Sequence, residues 1–331
     1  MKKLISLGIE SSAYVFGVGI VTESGEILAN EKAIYKPTSG KGLIPHEAAV
    51  FHKKNAEIVL NNALEKAKLT LDKIDVISYT AGAGIPLCLL VGAELAIKIS
   101  KNYKKPLVKV CHQIGHLEIG KLTTGVKDPI FVYTSGGNSQ IIVFTEGRYI
   151  VAGETEDIAL GNCFDIVARE MGLDMPGGPK IDELALKGKY IDLPYTVKGC
   201  DLSFSGITTA AINLLKKGIS KEDVAYSLQE TCFSMLTEVT ERIMAHSNKE
   251  EVLLVGGVAA SKKLQEMIKI MCNERGAKMY VVPKEYAGDN GSMIGWTGLL
   301  AYKSGWKPDF KDKINSKWRI DEVDVTWLRQ E

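Results

Sequence analysis

An arrangement of three short apolar stretches separated by tight turns occurs twice in the chain. This repeat constrains the fold more than any other feature. The first copy starts at Leu4 and the second at Pro129, about 125 residues later by our strand assignments. In both copies, apolar runs between Gly-containing turns predict strand–turn–strand–turn–strand, followed by helices and further strands. The repeat predicts an α/β protein of two similar lobes, each a mixed or parallel sheet covered by helices, with an interlobe cleft.

The length of the chain agrees with a division into two lobes, because 331 residues exceed the usual size of a single core. We place an N-terminal lobe at residues 1–127 and a C-terminal lobe with a helical insertion at residues 128–293. A C-terminal helix is expected at residues 294–304, and residues 305–331 are expected to form a charged tail or linker.

The composition is that of an ordinary globular protein, with 45% apolar and 24% charged residues. The net charge of +1 argues against a surface that is basic all over, but it is compatible with a local nucleic-acid patch. The lysine-rich run at residues 98–105 is the best candidate for such a patch, and a solvated helix end is the alternative. The six cysteines form no CxxC pair, and no apolar run is long enough to span a bilayer. These features predict a protein of the reducing cytoplasm with no membrane partner.

Two histidines, His112 and His116, stand four residues apart directly after a short apolar stretch that is typical of a buried strand. If the chain turns helical there, both imidazoles lie on one helix face and can share a metal ion. The zinc-protease motif has a Glu after the first His as general base, whereas this chain has Gln113, whose amide cannot accept a proton. The pair therefore predicts a metal site without proteolysis, and two ordinary helix histidines are the alternative.

Four Gly-rich turns connect the predicted elements. Their sequences are Gly8-Ile9-Glu10-Ser11-Ser12, Thr134-Ser135-Gly136-Gly137-Asn138-Ser139, Val255-Gly256-Gly257-Val258-Ala259-Ala260-Ser261 and Gly288-Asp289-Asn290-Gly291-Ser292. Glycine lets backbone amides approach an oxygen-rich ligand, although a hairpin glycine needs no ligand at all. One turn follows the first strand of each copy, and this layout resembles that of a nucleotide-binding fold with two phosphate-binding hairpins.

Further motifs occur in a fixed order along the chain. They are Pro45-His46-Glu47-Ala48 with His52, Gly161-Asn162-Cys163-Phe164-Asp165, Pro176-Gly177-Gly178-Pro179 and Asp201-Leu202-Ser203-Phe204-Ser205-Gly206. With the histidine pair and the four turns, they resemble the universal tRNA threonylcarbamoyladenosine transferase (TsaD-like) family. The likeness is closest to the archaeal branch, the catalytic subunit of the KEOPS complex, and it extends to about Tyr302. It implies the actin-like, sugar-kinase and heat-shock-chaperone ATPase (ASKHA) fold.

The resemblance implies the site residues position by position. Tyr133 and Asp289 would join His112 and His116 around one metal ion per subunit, iron first and zinc as the alternative. The implied contacts to substrate and nucleotide are Tyr133, Thr134, Ser135, Gly136, Gly137, Asp165, Gly178, Asp182 and Ser261. The implied supporting nucleotide loops contain Glu10, Ser11, Gly256, Gly257 and Asn290. The ligand would be ATP or the AMP moiety of threonylcarbamoyl-AMP, with Mg²⁺ as an optional companion of the nucleotide, and no single general base is assigned.

The implied reaction transfers threonylcarbamoyl from threonylcarbamoyl-AMP to N6 of the adenosine at position 37 in tRNAs that read ANN codons. The implied partners are tRNA, the small atypical protein kinase of the KEOPS complex and the small accessory subunits of that complex. In some archaeal relatives the kinase is fused to the tail, so the chain could be one part of a longer polypeptide. An ATP-dependent phosphotransferase with Glu10 as a Mg²⁺ ligand and a nucleotide-sensing scaffold remain the alternatives on this fold.

The chain departs from the usual family pattern at several positions. Ala83 replaces a proline, Ser261 an asparagine, Ser292 an alanine and Asp182 a frequent glutamate. None of these changes removes an implied metal ligand, but two of them alter implied contacts to the nucleotide.

Overall fold

The computed structural model describes residues 3–37, 42–306 and 313–328. The strands in these ranges are β1 (Ile5–Glu10), β2 (Val15–Thr22), β3 (Ile27–Ile34), β4 (Val76–Gly82), β5 (Leu107–Cys111), β6 (Ile130–Thr134), β7 (Ser139–Thr145), β8 (Arg148–Glu154), β9 (Val197–Lys198), β10 (Asp201–Leu202), β11 (Glu251–Val255) and β12 (Lys278–Val281). The helices are α1 (Pro45–Ala67), α2 (Pro86–Tyr103), α3 (His112–Thr124), α4 (Leu160–Glu170), α5 (Gly177–Ala185), α6 (Ser205–Lys216), α7 (Lys221–Ser247), α8 (Lys262–Glu274), α9 (Lys284–Ala287) and α10 (Gly291–Lys303).

The chain divides into two compact units. Unit 1 comprises Met1–Thr123, Glu146–Tyr149 and Gly288–Glu331, and unit 2 comprises Thr124–Thr145 and Ile150–Ala287. Each unit has its own cluster of buried apolar side chains. The C-terminal part of the chain, including α10, therefore belongs with the N-terminal elements.

The two sheets have the same topology, which confirms the predicted repeat. The first sheet has the order β3-β2-β1-β4-β5 and the second the order β8-β7-β6-β11-β12. In each sheet the central strand pairs antiparallel with the hairpin strand that follows it and parallel with a later strand. The predicted hairpins and the helix after β5 are present, whereas α6 was not predicted.

Helix α10 lies directly against the β1–β2 hairpin of unit 1, and glycines make this approach possible. A methyl group at Gly8 would lie 2.0 Å from the Gly295 nitrogen, and one at Gly19 would lie 2.1 Å from the Ser292 nitrogen. A methyl group at Gly291 would in turn meet the Gly19 nitrogen at 2.1 Å. Helix and hairpin thus pack backbone against backbone, which leaves α10 little freedom to shift.

Residues 313–328 belong to unit 1 and are hydrogen-bonded to its other segments, and we call them the C-terminal strap. The Asn315 N–H donates to the Ala81 carbonyl at 2.7 Å, and the Tyr79 hydroxyl donates to the Lys313 carbonyl at 2.7 Å. Ile320 and Val325 are buried. Residues 307–312 and 329–331 of the predicted tail lie outside the described residues.

Across the described ranges, no helix combines the length and the apolar character that crossing a membrane requires.

The close approach of α10 predicts that Gly8→Ala destabilises the protein. Because the added methyl would overlap the backbone of α10, we expect a loss of about 2–3 kcal/mol in the free energy of unfolding. The matched control is Gly206→Ala in α6, where a methyl meets no atom within 4 Å and should be neutral or slightly stabilising. Urea unfolding followed by circular dichroism measures both variants. Equal midpoints for the two variants would contradict the proposed packing constraint.

Candidate metal centre and nucleotide turn

The two histidines lie on one face of α3, as predicted. The helix starts at His112 directly after β5, so the pairing of Cys111 in the sheet fixes where its first residue lies. Both side chains are buried, and the ring centroids of His112 and His116 are 4.8 Å apart. The spacing of four residues therefore brings two imidazoles to one point inside unit 1.

Asp289 completes this cluster from the loop before α10. Its Oδ1 lies 3.2 Å from Nε2 of His116 and 3.5 Å from Nε2 of His112. The ligand atoms of the three residues all lie within 4.8 Å of one another. Two imidazole nitrogens and a carboxylate oxygen are a donor set that suits iron or zinc, so the residues fit the implied metal ion.

Asn290 fixes the loop that carries Asp289. Its Oδ1 accepts a hydrogen bond from the Met293 N–H at 3.0 Å, which caps the N-terminus of α10. Its Nδ2 donates to the Gly288 carbonyl at 2.9 Å, on the other side of Asp289. The implied nucleotide-loop residue Asn290 thus holds the backbone on both sides of Asp289.

Glu10, at the end of β1, orients His112 from behind. Its carboxylate is fully buried, and Oε2 lies 3.1 Å from Nδ1 of His112 and accepts a hydrogen bond from the Thr80 hydroxyl at 2.6 Å. Its Oε1 accepts the Ser12 N–H at 2.6 Å. A carboxylate on Nδ1 fixes the ring so that Nε2 faces Asp289, as outer carboxylates do in metal sites. Glu10 was predicted as a residue of a nucleotide loop, and its contact with His112 was not predicted. Its neighbour Ser11 is buried beside Gly92, where a methyl would lie 2.2 Å from the Ser11 hydroxyl oxygen.

The charges in this cluster depend on one another. Burial alone would raise the pKa of Glu10 and of Asp289, but the neighbouring His112 holds both pKa values below their usual range. Burial would lower the pKa of His112, yet the two carboxylates raise that pKa to about 9. Burial dominates at His116 and lowers its pKa. A fully buried carboxylate (Glu10) and a partly exposed one (Asp289) therefore both favour positive charge at this point, which a proton or a metal cation can supply.

The turn after β6 in unit 2 is closed by its own hydrogen bonds. The Ser135 N–H donates to the Asn138 carbonyl at 2.8 Å. The Ser135 hydroxyl accepts the N–H groups of Asn138 at 3.0 Å and Gly137 at 3.3 Å. A methyl group at Gly136 or Gly137 would meet no atom within 4 Å. The outer side of this turn therefore offers space to a ligand.

The other implied nucleotide turn lies against the first. Gly256 has a φ of +90°, and a methyl there would lie 2.3 Å from the Thr134 carbonyl oxygen, so only glycine fits. Gly257 starts the short turn that leads to Ser261 at the beginning of α8. The N–H of Gly161, in the first turn of α4, donates to the Ser135 carbonyl at 3.2 Å. Unit 2 thus brings together the two Gly-rich turns and a helix N-terminus.

The remaining implied contacts have partners inside unit 2. Asp165 accepts the N–H of Gly177, next to Gly178, at 2.7 Å. Asp182 accepts the Gln229 side-chain amide at 2.5 Å, and Ser261 is buried. Burial raises the pKa of both carboxyl groups. Their substrate contacts stay predictions.

Tyr133 also belongs to unit 2. It is fully buried on β6, and its hydroxyl accepts a hydrogen bond from the Asn138 amide at 3.4 Å. Its role as a fourth metal ligand stays a prediction.

Similarity to known proteins is extensive. The family model of tRNA N6-adenosine threonylcarbamoyltransferase (TsaD) matches residues 24–296. A protein of that name from Thermofilum pendens is 51% identical over 330 residues, which cover 99% of this chain and 98% of the relative. A "probable bifunctional tRNA threonylcarbamoyladenosine biosynthesis protein" from Methanocaldococcus jannaschii is 49% identical over 329 residues, covering 99% of this chain but 61% of the relative.

Solved structures share the fold at low sequence identity. HypF from T. kodakarensis superposes with a TM-score of 0.61 at 15% identity, covering 92% of this chain and 48% of that one. The activator of 2-hydroxyisocaproyl-CoA dehydratase from Clostridium difficile, solved with ADPNP, gives a TM-score of 0.55 at 13% identity, with coverage of 92% and 97%. The ASKHA fold expected from the resemblance is thereby confirmed. On the family match and the near-complete alignment with archaeal relatives, the chain belongs to the tRNA N6-adenosine threonylcarbamoyltransferase family.

Proposed function

We propose that this chain transfers threonylcarbamoyl from threonylcarbamoyl-AMP to N6 of the adenosine at position 37 of tRNAs that read ANN codons. The observation that carries the proposal is the cluster of two buried histidines, His112 and His116, with Asp289 in a chain of this family. The names of the relatives from Thermofilum pendens and Archaeoglobus fulgidus support it.

The donor is already activated, because its carbonyl carbon is part of a mixed carbamic–phosphoric anhydride. N6 of adenosine attacks this carbon, the bond between the carbon and the phosphate oxygen breaks, AMP leaves and N6 gives up one proton. An exocyclic aromatic amine is a weak nucleophile, so much of the rate should come from positioning the two reactants. The protein's main task is therefore to hold the donor and to admit the base.

His112, His116 and Asp289 would hold the metal ion, with Tyr133 proposed as a fourth ligand. The nitrogen and oxygen donors favour iron, with zinc as the alternative. When bound, such an ion supplies Lewis-acid polarisation of an oxygen. Glu10 keeps the His112 ring oriented through its 3.1 Å contact with Nδ1.

The turn at Ser135–Asn138 would hold the phosphate of the nucleotide, since its glycines leave free space outside the backbone. The Gly256–Gly257 turn would hold the adenosine. Asp165, Gly178, Asp182 and Ser261 would complete the contacts to the ligand. Glu10 is a poor candidate for the Mg²⁺ ligand of a phosphotransferase, because both of its oxygens already have protein partners.

We propose that the chain acts in the cytoplasm together with a small atypical protein kinase and the small accessory subunits of KEOPS. The bifunctional relatives support a second activity that works with this one, because this chain aligns with 61% of their length. In this proposal the second activity of those proteins is the kinase, fused rather than separate.

The test of the function is reconstitution. The full chain is incubated with threonine, bicarbonate, ATP, the adenylate-forming enzyme and tRNA, with and without the partner subunits. Nucleosides from the digested tRNA are then measured by mass spectrometry. We expect threonylcarbamoyladenosine in a tRNA with adenosine at position 37 and none in the matched tRNA with guanosine there. Phosphate transfer from ATP without the modified nucleoside would support the phosphotransferase alternative instead.

The metal centre predicts that His112→Ala loses its metal. Removal of a direct ligand should weaken metal affinity by more than about 100-fold, whereas Glu10→Gln should weaken it about 10–100-fold. The control is His46→Ala, because His46 is exposed on α1. Zn²⁺ affinity is measured by competition with a chromophoric chelator. Wild-type affinity in His112→Ala would show that the histidines have only a structural role.

The nucleotide turn predicts that Gly137→Val leaves the fold intact and weakens nucleotide binding. The Cβ of a valine at this position would meet no protein atom within 4 Å. A loss of nucleotide affinity would therefore report on space that the ligand needs. We expect at least a tenfold loss of AMP affinity (about 1.4 kcal/mol) in calorimetric titration. Gly42→Val is the control, since a methyl there also meets no atom within 4 Å. Equal affinity in a folded Gly137→Val protein would refute the placement.

A further inference from the structure

Glu118 is a buried carboxylate on the helix that carries the two histidines. Glu118 lies near the middle of α3 and is only 2% exposed. A long charged side chain at such a position is usually found on a solvated helix face. Because it follows His116 by two residues, it points to roughly the opposite side of the helix. A buried carboxylate is costly unless its oxygens have partners, so its contacts are part of the design of this helix.

Three segments of unit 1 supply those partners. Oε1 accepts the Tyr149 hydroxyl at 2.7 Å and the indole N–H of Trp327 at 3.0 Å. Oε2 lies 3.5 Å from the Lys121 ammonium group, one turn further along α3. Tyr149 belongs to the segment Glu146–Tyr149, and Trp327 to the C-terminal strap. Glu118 thereby joins α3 to two segments that are distant in sequence.

Helix α10 limits α3 at a different point. A methyl group at Gly115 would lie 3.2 Å from side-chain atoms of both Met293 and Ile294. This contact limits how close α3 and α10 can lie, but van der Waals contact alone is not directional and does not fix the rotation of α3 about its own axis. Glu118 lies about one turn further along the same face of α3 as Gly115, and its hydrogen bonds are directional, so they oppose rotation of α3 about its own axis.

Rotation matters because ligand groups must converge. A binding constellation tolerates errors of only about 0.5 Å and 10–20°. The imidazoles of His112 and His116 project from α3, whereas Asp289 is fixed independently by the cap of α10. A small turn of α3 would therefore move both histidines away from Asp289.

The strap that provides Trp327 is anchored independently of Glu118. The Ser304 and Thr326 hydroxyl groups are 2.5 Å apart, and the Gly84 N–H donates to the Ser316 carbonyl at 3.1 Å. Val325 is fully buried. Trp327 therefore offers its N–H from a fixed position.

We propose that Glu118 is a positioning residue of the metal centre and that the C-terminal strap acts on this centre through Trp327. The strap holds α3 at the rotation at which His112 and His116 meet Asp289. The inference rests on the proposed function, because it requires that this cluster binds metal.

The decisive variant is Trp327→Phe, which removes the indole N–H and keeps an aromatic ring. Trp318→Phe is the matched control, since Trp318 lies in the same strap and packs against the apolar core of unit 1. Zn²⁺ affinity of the full-length protein is measured by chelator competition, and the stability of the metal-free protein by thermal unfolding. We expect Trp327→Phe to weaken Zn²⁺ binding about tenfold, as loss of an outer partner does, and Trp318→Phe to leave it unchanged.

A double-mutant cycle separates positioning from general damage. Glu118→Leu removes both carboxylate oxygens and should weaken Zn²⁺ binding at least as much as Trp327→Phe does. Adding Trp327→Phe to it should cause little further loss, because the two residues act through one contact. Additive losses, or equal losses in Trp327→Phe and Trp318→Phe, would overturn the inference.

Failure of this inference can be distinguished from failure of the proposed function. If the wild-type protein binds Zn²⁺ through His112 and Trp327→Phe binds it equally well, only the role of the strap is refuted. If His112→Ala does not alter Zn²⁺ binding, the metal centre itself is refuted, and this inference falls with it.

Discussion

The backbone contact between α10 and the β1–β2 hairpin is the constraint on which unit 1 depends. Four glycines, Gly8, Gly19, Gly291 and Gly295, allow a helix to lie on a sheet without side chains between them. A contact of this kind has few alternative arrangements, because a small shift brings backbone atoms into overlap. Asp289 stands two residues before α10, so the same contact sets where its carboxylate lies. The candidate metal centre is thus a consequence of how the core packs.

The charges of the centre follow from the same arrangement. Glu10 lies at the end of β1, which is one strand of the hairpin that α10 covers, and Asp289 lies just before that helix. Two carboxylates, the buried one of Glu10 and the partly exposed one of Asp289, are thereby brought close to His112. Desolvation raises the pKa of both carboxyl groups, and the neighbouring His112 lowers it. The site therefore favours positive charge. Its two imidazoles can bind a metal ion, which would supply that charge.

Local patterns in the sequence were sufficient to predict much of this structure. The repeated hairpins, the parallel strands that follow them and the histidine pair on one helix face all follow from the spacing of apolar residues and glycines. The contacts of Glu10 with His112 and of Glu118 with Trp327 could not be predicted, because residues 102 and 209 positions apart meet only in the folded chain. Helix α6 was not predicted, although the spacing of Ile207, Ala211 and Leu214 is helical. The assignment of Tyr133, Asp165 and Asp182 to a ligand came from family resemblance alone, and it awaits the binding experiments.

The separation of the ligands along the chain has a consequence for synthesis. His112 and His116 leave the ribosome early, but Asp289 lies 173 residues after His116 and Trp327 lies 209 residues after Glu118. Until those residues emerge, β1 and β2 lack the helix that covers them, and the histidines lack their carboxylate. Long-range closure of this kind is slow relative to local folding. A nascent chain that ends before Asp289 would therefore carry an incomplete centre, and tight metal binding would mark chains whose synthesis has passed α10.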